Sequence, residues 1–131
     1  MSEDKKDIQS HIDRLDLDWR GGLDDYKVKR SIRASVLPRM PSEIPFYSLR
    51  IAVGIGLPSI GLLCCVYFLF SSEDAVKRGM FALLSISNAM VLFAVSRDRR
   101  RHLAAVQRYA VALDGYESKR SELQAKLEAL D

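Results

Sequence analysis

Residues 51–70 read IAVGIGLPSIGLLCCVYFLF and residues 79–95 read GMFALLSISNAMVLFAV. The first stretch is twenty consecutive uncharged positions, and only SSEDAVKR separates it from the second. At about 1.5 Å rise per residue the two runs extend roughly 30 Å and 25 Å, enough for a bilayer's hydrocarbon core with the second helix slightly short. The pattern predicts an all-α membrane protein built on a two-helix transmembrane hairpin, with spans at about 46–70 and 77–96 and a loop at 71–76. Outside it lie an amino-terminal arm, residues 1–45, and a helical tail, residues 97–131. Both arms are too short to bury a large core alone, so a single membrane unit is expected.

Charge sets the orientation. The formal net charge is +3, but its distribution is uneven. Residues 1–25 carry four Lys/Arg against eight Asp/Glu, and residues 26–50 carry six basic residues against Glu43 alone. Residues 97–108 add five arginines, while residues 71–78 between the two apolar runs have only Lys77 and Arg78. Basic residues accumulate on the cytoplasmic side, so both termini are expected there. Arg50, Arg97, Arg99, Arg100 and Arg101 are the candidate headgroup anchors, a use of basic charge favoured over nucleic acid because neither arm carries a nucleic-acid reading motif. In the loop, Ser72 followed by Glu73 and Asp74 reads as a helix N-cap with acids in the first turn. A secretory signal would place its apolar stretch near the start. Here about fifty residues precede it, so the run is expected to be retained.

The arms carry their own periodicities. Ile8, Ile12, Leu15 and Trp19 recur at spacings of four, three and four, predicting an amphipathic helix at about residues 4–18 that Gly21 and Gly22 end. From residue 26 to 36 the even positions are largely apolar, which favours an extended piece with a helix as the alternative. Pro38, Pro41 and Pro45 make a stiff linker before the hairpin. In the tail, Val106, Tyr109, Leu113, Tyr116, Leu123, Leu127 and Leu130 fit successive a and d positions, with Arg120 the one charged intruder. A helix continuous with the second span would extend roughly 50 Å beyond it. Asp114-Gly115 is its expected weak point, since a mid-helix glycine costs about 1 kcal/mol relative to alanine. The tail stripe needs cover, and three covers are open: another copy of the tail, the stripe of the amino-terminal arm, or the membrane surface.

Within the spans, Gly54, Gly61 and Cys65 form a small-residue stripe on the first helix, and Ala82, Ser85 and Ala89 one on the second. Such faces let helix backbones approach closely. Asn88 should lie at the depth of residues 59–61 and take a hydrogen bond across the seam, because lipid offers it none. Pro58 should kink the first helix. The adjacent Cys64 and Cys65 suit neither a disulfide nor a metal site. His11 and His102 read as ordinary solvated residues, and Asp4, Asp7, Asp13, Asp16 and Asp18 as the wet face of the first helix. With no nucleophile, base or phosphate-cradling loop at the required spacings, no catalytic residue, metal ligand or cofactor is assigned and no enzyme is expected.

Trp19 and Tyr26 after an acidic start, Pro41 or Pro45 before the hairpin, and Tyr109, Tyr116, Arg120, Leu123 and Leu127 after it make a pattern. In this the chain resembles a loose group of small bacterial two-span membrane proteins with a charged helical cytoplasmic tail. The resemblance implies a bacterial inner-membrane location and no reaction. Glycine-rich phage hole-formers share the two-span plan, from which this chain departs in its long amino-terminal arm. The expectation is a non-enzymatic membrane anchor whose partners are the lipid bilayer and either further copies of itself or another protein. A holin-like pore and an accessory subunit of a larger membrane complex are the alternatives.

Overall fold

The computed structural model describes residues 3–28 and 36–131, and among these every regular element is helical. Helix α1 spans Glu3–Gly22, α2 spans Tyr47–Ser71 and α3 spans Ala75–Glu128, with short 3-10 turns at Leu23–Tyr26 and Pro41–Glu43. The chain divides into two compact units. One joins Met1–Arg39 to His102–Asp131, and the other is Met40–Arg101. The segments flanking the hairpin therefore belong to a common unit.

In the unit containing both arms, α1 begins with Glu3 and Asp4 in its first turn and ends with Arg20 in its last, charges that complement the helix dipole. It runs to Gly22, about a turn beyond the acidic stretch, and the 3-10 turn follows directly. Ile12 and Val106 are 5% and 6% exposed, and Ile8, Leu15, Trp19, Tyr109, Leu113, Tyr116, Leu123 and Leu127 are half-buried. The α1 stripe covers the tail stripe, as the ring contacts between Trp19 and Tyr109 and between Trp19 and Tyr116 establish. Leu130 lies beyond α3 and is exposed. The alternation over 26–36 falls mostly outside the described residues. Within them, Tyr26 closes the 3-10 turn, and Val28 and Val36 form an isolated antiparallel bridge in which the Val28 amide donates to the Val36 carbonyl at 2.9 Å.

In the second unit, Pro41 opens a 3-10 turn in which the Glu43 carboxylate accepts from the Met40 amide at 3.3 Å. Phe46, entering α2, has φ 56° and ψ 29°. This left-handed conformation costs a side-chain-bearing residue roughly 1–2 kcal/mol. Helices α2 and α3 are antiparallel here. Gly54 faces Val95, Gly61 faces Asn88, and Phe68 stacks on Phe81 with ring centroids 5.3 Å apart. These three pairs advance by seven residues on each helix, the repeat of left-handed knobs-into-holes packing.

Two details of the turn differ from the sequence reading. Helix α3 starts at Ala75 and its N-cap is Asp74, whose carboxylate accepts the Val76 amide at 3.0 Å. Ser72 instead caps the end of α2. Its amide donates to the Phe68 carbonyl at 3.0 Å, and its own carbonyl accepts from Arg78 Nε at 2.6 Å. Asp74 wins because its carboxylate adds charge complementarity at the helix start to the capping hydrogen bond. Helix α3 also runs through residue 97 and through Asp114-Gly115 without a break, since one glycine's cost is small against the packing of its neighbours.

Candidate functional site

The densest cluster of polar and aromatic contacts lies where α1 meets the tail. Trp19 sits among three tyrosines, with centroids 6.1 Å from Tyr26, 6.1 Å from Tyr109 and 4.9 Å from Tyr116, the last nearly parallel at 11°. Tyr26 meets Tyr109 edge to face at 65°. Stacked and edge-on pairs at these separations are favourable geometries for aromatic quadrupoles. Beside them, the Tyr116 hydroxyl donates to Asp16 Oδ1 at 2.5 Å and Arg120 Nε donates to the same oxygen at 3.2 Å. The Tyr116 hydrogen bond, aided by the Arg120 charge, holds the Asp16 carboxyl below its ordinary value. The same hydrogen bond pushes the Tyr116 hydroxyl up. A Lys5–Asp131 ion pair links the start of α1 to the chain end.

This cluster corrects the assignment of Asp16 to the wet face. Asp16 follows Ile12 by four residues and precedes Trp19 by three, so it lies on the buried stripe itself. It also accounts for Arg120, whose partner is this carboxylate. The sequence signal was the charged residue inside an apolar stripe, which requires a counter-charge on whatever covers it.

The helix seam is the second candidate. Gly54, Gly61, Cys65, Ala82, Ser85 and Asn88 are all half-buried. A Cβ added at Gly61 would lie 3.0 Å from Asn88 Oδ1, so the amide occupies the space a side chain would need. The Asn88 amide nitrogen donates within its own helix, to the Leu84 carbonyl at 2.9 Å. Ser59 and Ser85 likewise donate to the carbonyls of Ile55 and Phe81, at 2.6 and 2.8 Å. Ala89 does not belong to the seam: it is exposed and lines an outer groove with Ile86, Met90 and Phe93. One residue past Asn88 is about 100° further round the helix, and the seam continues through Leu92 and Val95 instead. The Phe68–Phe81 stack falls on the same seven-residue register and could have been found by extending it.

Arg50, Arg97, Arg99, Arg100 and Arg101 are exposed, as is Cys64, while Cys65 faces the seam; both thiols are free. Among the described residues no group of three His, Cys, Asp or Glu side chains is placed to hold a metal ion. His11 Nδ1 lies 2.9 Å from the Asp7 carbonyl in its own helix. A shallow groove runs between Tyr26 and the tail residues Ala104, Gln107, Arg108, Val111 and Ala112. No protein-family model, curated protein or solved structure matches the chain.

Proposed function

We propose that the chain is an integral membrane anchor and interaction protein without catalytic activity of its own. Its hairpin sits in a bacterial inner membrane, its termini are cytoplasmic, and the unit built from its two arms offers a surface to a protein partner or a further copy. The observation that carries the reading is the exposure of the apolar helices. Leu63, Phe70 and Leu83 are 72%, 81% and 70% exposed, and neither apolar window contains a buried residue. An apolar surface of that extent is unsustainable in water, and lipid is the solvent that suits it. The hydroxyls of Ser59 and Ser85 and the Asn88 amide, the last expected to bond across the seam, donate inside their own helices, which is compatible with a surround that offers no hydrogen-bond partner. Gly54 and Gly61 are used inside the hairpin against Val95 and Asn88, which favours an anchor over a pore assembled from many copies through those glycines.

The test is cysteine labelling in intact bacterial cells, with Cys64 and Cys65 first replaced by alanine. Ser72→Cys should react with an impermeant thiol reagent and Ser121→Cys should react only after lysis. Protection of both before lysis and extraction of the protein by alkaline carbonate would reject the membrane reading. Reaction at Ser121 alone would reverse the orientation.

A further inference from the structure

The face of α3 turned away from α2 carries a shallow groove of about 450 Å³ lined by Ile86, Ala89, Met90, Phe93, Ala94 and Arg97. The seam residues Phe81, Asn88 and Val95 lie on the other side of the helix, as the spacing requires. Met90 and Phe93 are 68% and 70% exposed, and the small side chains of Ala89 and Ala94 leave low ground among the larger ones. Eleven residues separate Ile86 from Arg97, about 16 Å along the axis. That is about half the roughly 30 Å hydrocarbon core, the depth of a single leaflet. The groove is apolar from Ile86 to Ala94 and ends at a guanidinium.

Beyond that end the charge continues on the same face. Arg100 and Arg101 follow Arg97 by three and four residues, the spacing of neighbours on one helix surface. Asp98 is one residue, about 100°, round the helix, and so flanks the three arginines rather than separating them.

We infer that this groove binds one molecule of an anionic phospholipid. An acyl chain lies along Ile86, Met90 and Phe93, and the phosphodiester is held by Arg97 with Arg100 and Arg101. Guanidinium groups match phosphate oxygens in bidentate geometry and retain their charge at any physiological pH. A zwitterionic headgroup brings its own cation against three arginines. A headgroup whose only charge is the phosphate does not, and this selects the anionic class. The inference rests on the membrane reading above and adds a defined site to it.

The test uses the full chain reconstituted in phosphatidylcholine nanodiscs, with Trp19→Phe keeping a ring in the arm cluster and Phe93→Trp placing the sole indole in the groove. Brominated acyl chains quench tryptophan on contact. At equal, low mole fraction, brominated phosphatidylglycerol should occupy the groove at least about fivefold more than brominated phosphatidylcholine, the factor that one basic residue's attraction to anionic lipid supplies and so the least that three should give. The triple variant Arg97→Gln, Arg100→Gln, Arg101→Gln should lose the preference while retaining quenching by both lipids. A tryptophan introduced instead by Leu63→Trp, on α2, should show no preference in the parent background. Equal quenching of the groove indole by both lipids would overturn the site and leave the membrane reading standing. Quenching by aqueous iodide and by neither lipid would overturn both. Protection from lipid and iodide alike, with disulfide crosslinking of Met90→Cys between chains in a background lacking the native cysteines, would assign the groove to a second copy and reject the lipid.

Discussion

Trp19→Ala should unfasten α1 from the tail while leaving the hairpin intact. Trp19 is the only tryptophan of the chain and the only residue with ring contacts to Tyr26, Tyr109 and Tyr116 together among those described. Truncating a fully buried Phe or Trp to alanine costs about 3–5 kcal/mol. Trp19 is half-buried, which lowers the area term, but the lost aromatic pairs add about 0.5–1.5 kcal/mol each before discounting for shared partners. A net cost of about 2–3 kcal/mol follows. In a unit this small, in which only Ile12, Pro38 and Val106 are buried among the described residues, that is a large share of the total stability. Amide hydrogen exchange read by mass spectrometry measures the effect segment by segment. At about 1.4 kcal/mol per factor of ten, protection across α1 should fall by about 30- to 150-fold, with no change in α2. Trp19→Phe, which keeps a ring, should lose much less. Unchanged protection of α1 in Trp19→Ala would refute the argument that this cluster holds the arms together.

The Asp16 carboxyl is held below its ordinary 3.8 by the Tyr116 hydroxyl and then Arg120, so its contribution is present above that value and lost as pH falls through the lowered one. Acid unfolding of the arm unit, followed by exchange or circular dichroism, should show this limb, and Asp16→Asn should flatten it. Tyr116, raised from 10.0, gives the opposite limb: its contribution is present below that ordinary value and lost as pH rises through the raised one, and Tyr116→Phe should remove it. Gly115→Ala should stabilise the tail by about 1 kcal/mol, because a Cβ there meets nothing within 4 Å; a lower melting temperature would contradict that. Gly61→Ala should loosen the hairpin by pressing on the Asn88 amide, 3.0 Å from the new carbon, and adding Asn88→Ala should relieve the pressure. Additive losses in the double variant, measured by thermal unfolding in detergent, would place the strain elsewhere.

Periodicity and partner identity are different kinds of information, and the residues of this chain separate them. The helices were legible because apolar spacing of three and four has one regular solution, and Ile8, Ile12, Leu15 and Trp19 state it without knowledge of any other segment. What covers a stripe is not contained in the stripe. Tyr109, Leu113, Tyr116 and Leu123 satisfy a heptad whether they meet a second copy or α1, since burial of apolar surface is non-directional. Only a directional group breaks that degeneracy. Arg120 is such a group, and its complement Asp16 lies on the α1 stripe, but taken on its own helix the one reads as a defect and the other as solvated charge. The seam repeats the argument at smaller scale. Small residues mark a close approach without saying which edge of the stripe faces inward, so Ala82, Ser85 and Ala89 looked equivalent; Asn88, with its amide against Gly61, fixes the rotation and turns Ala89 outward. In a chain of this size, polar residues embedded in apolar patterns carry the specificity of assembly, and paired across elements they decide between folds that the apolar pattern alone permits.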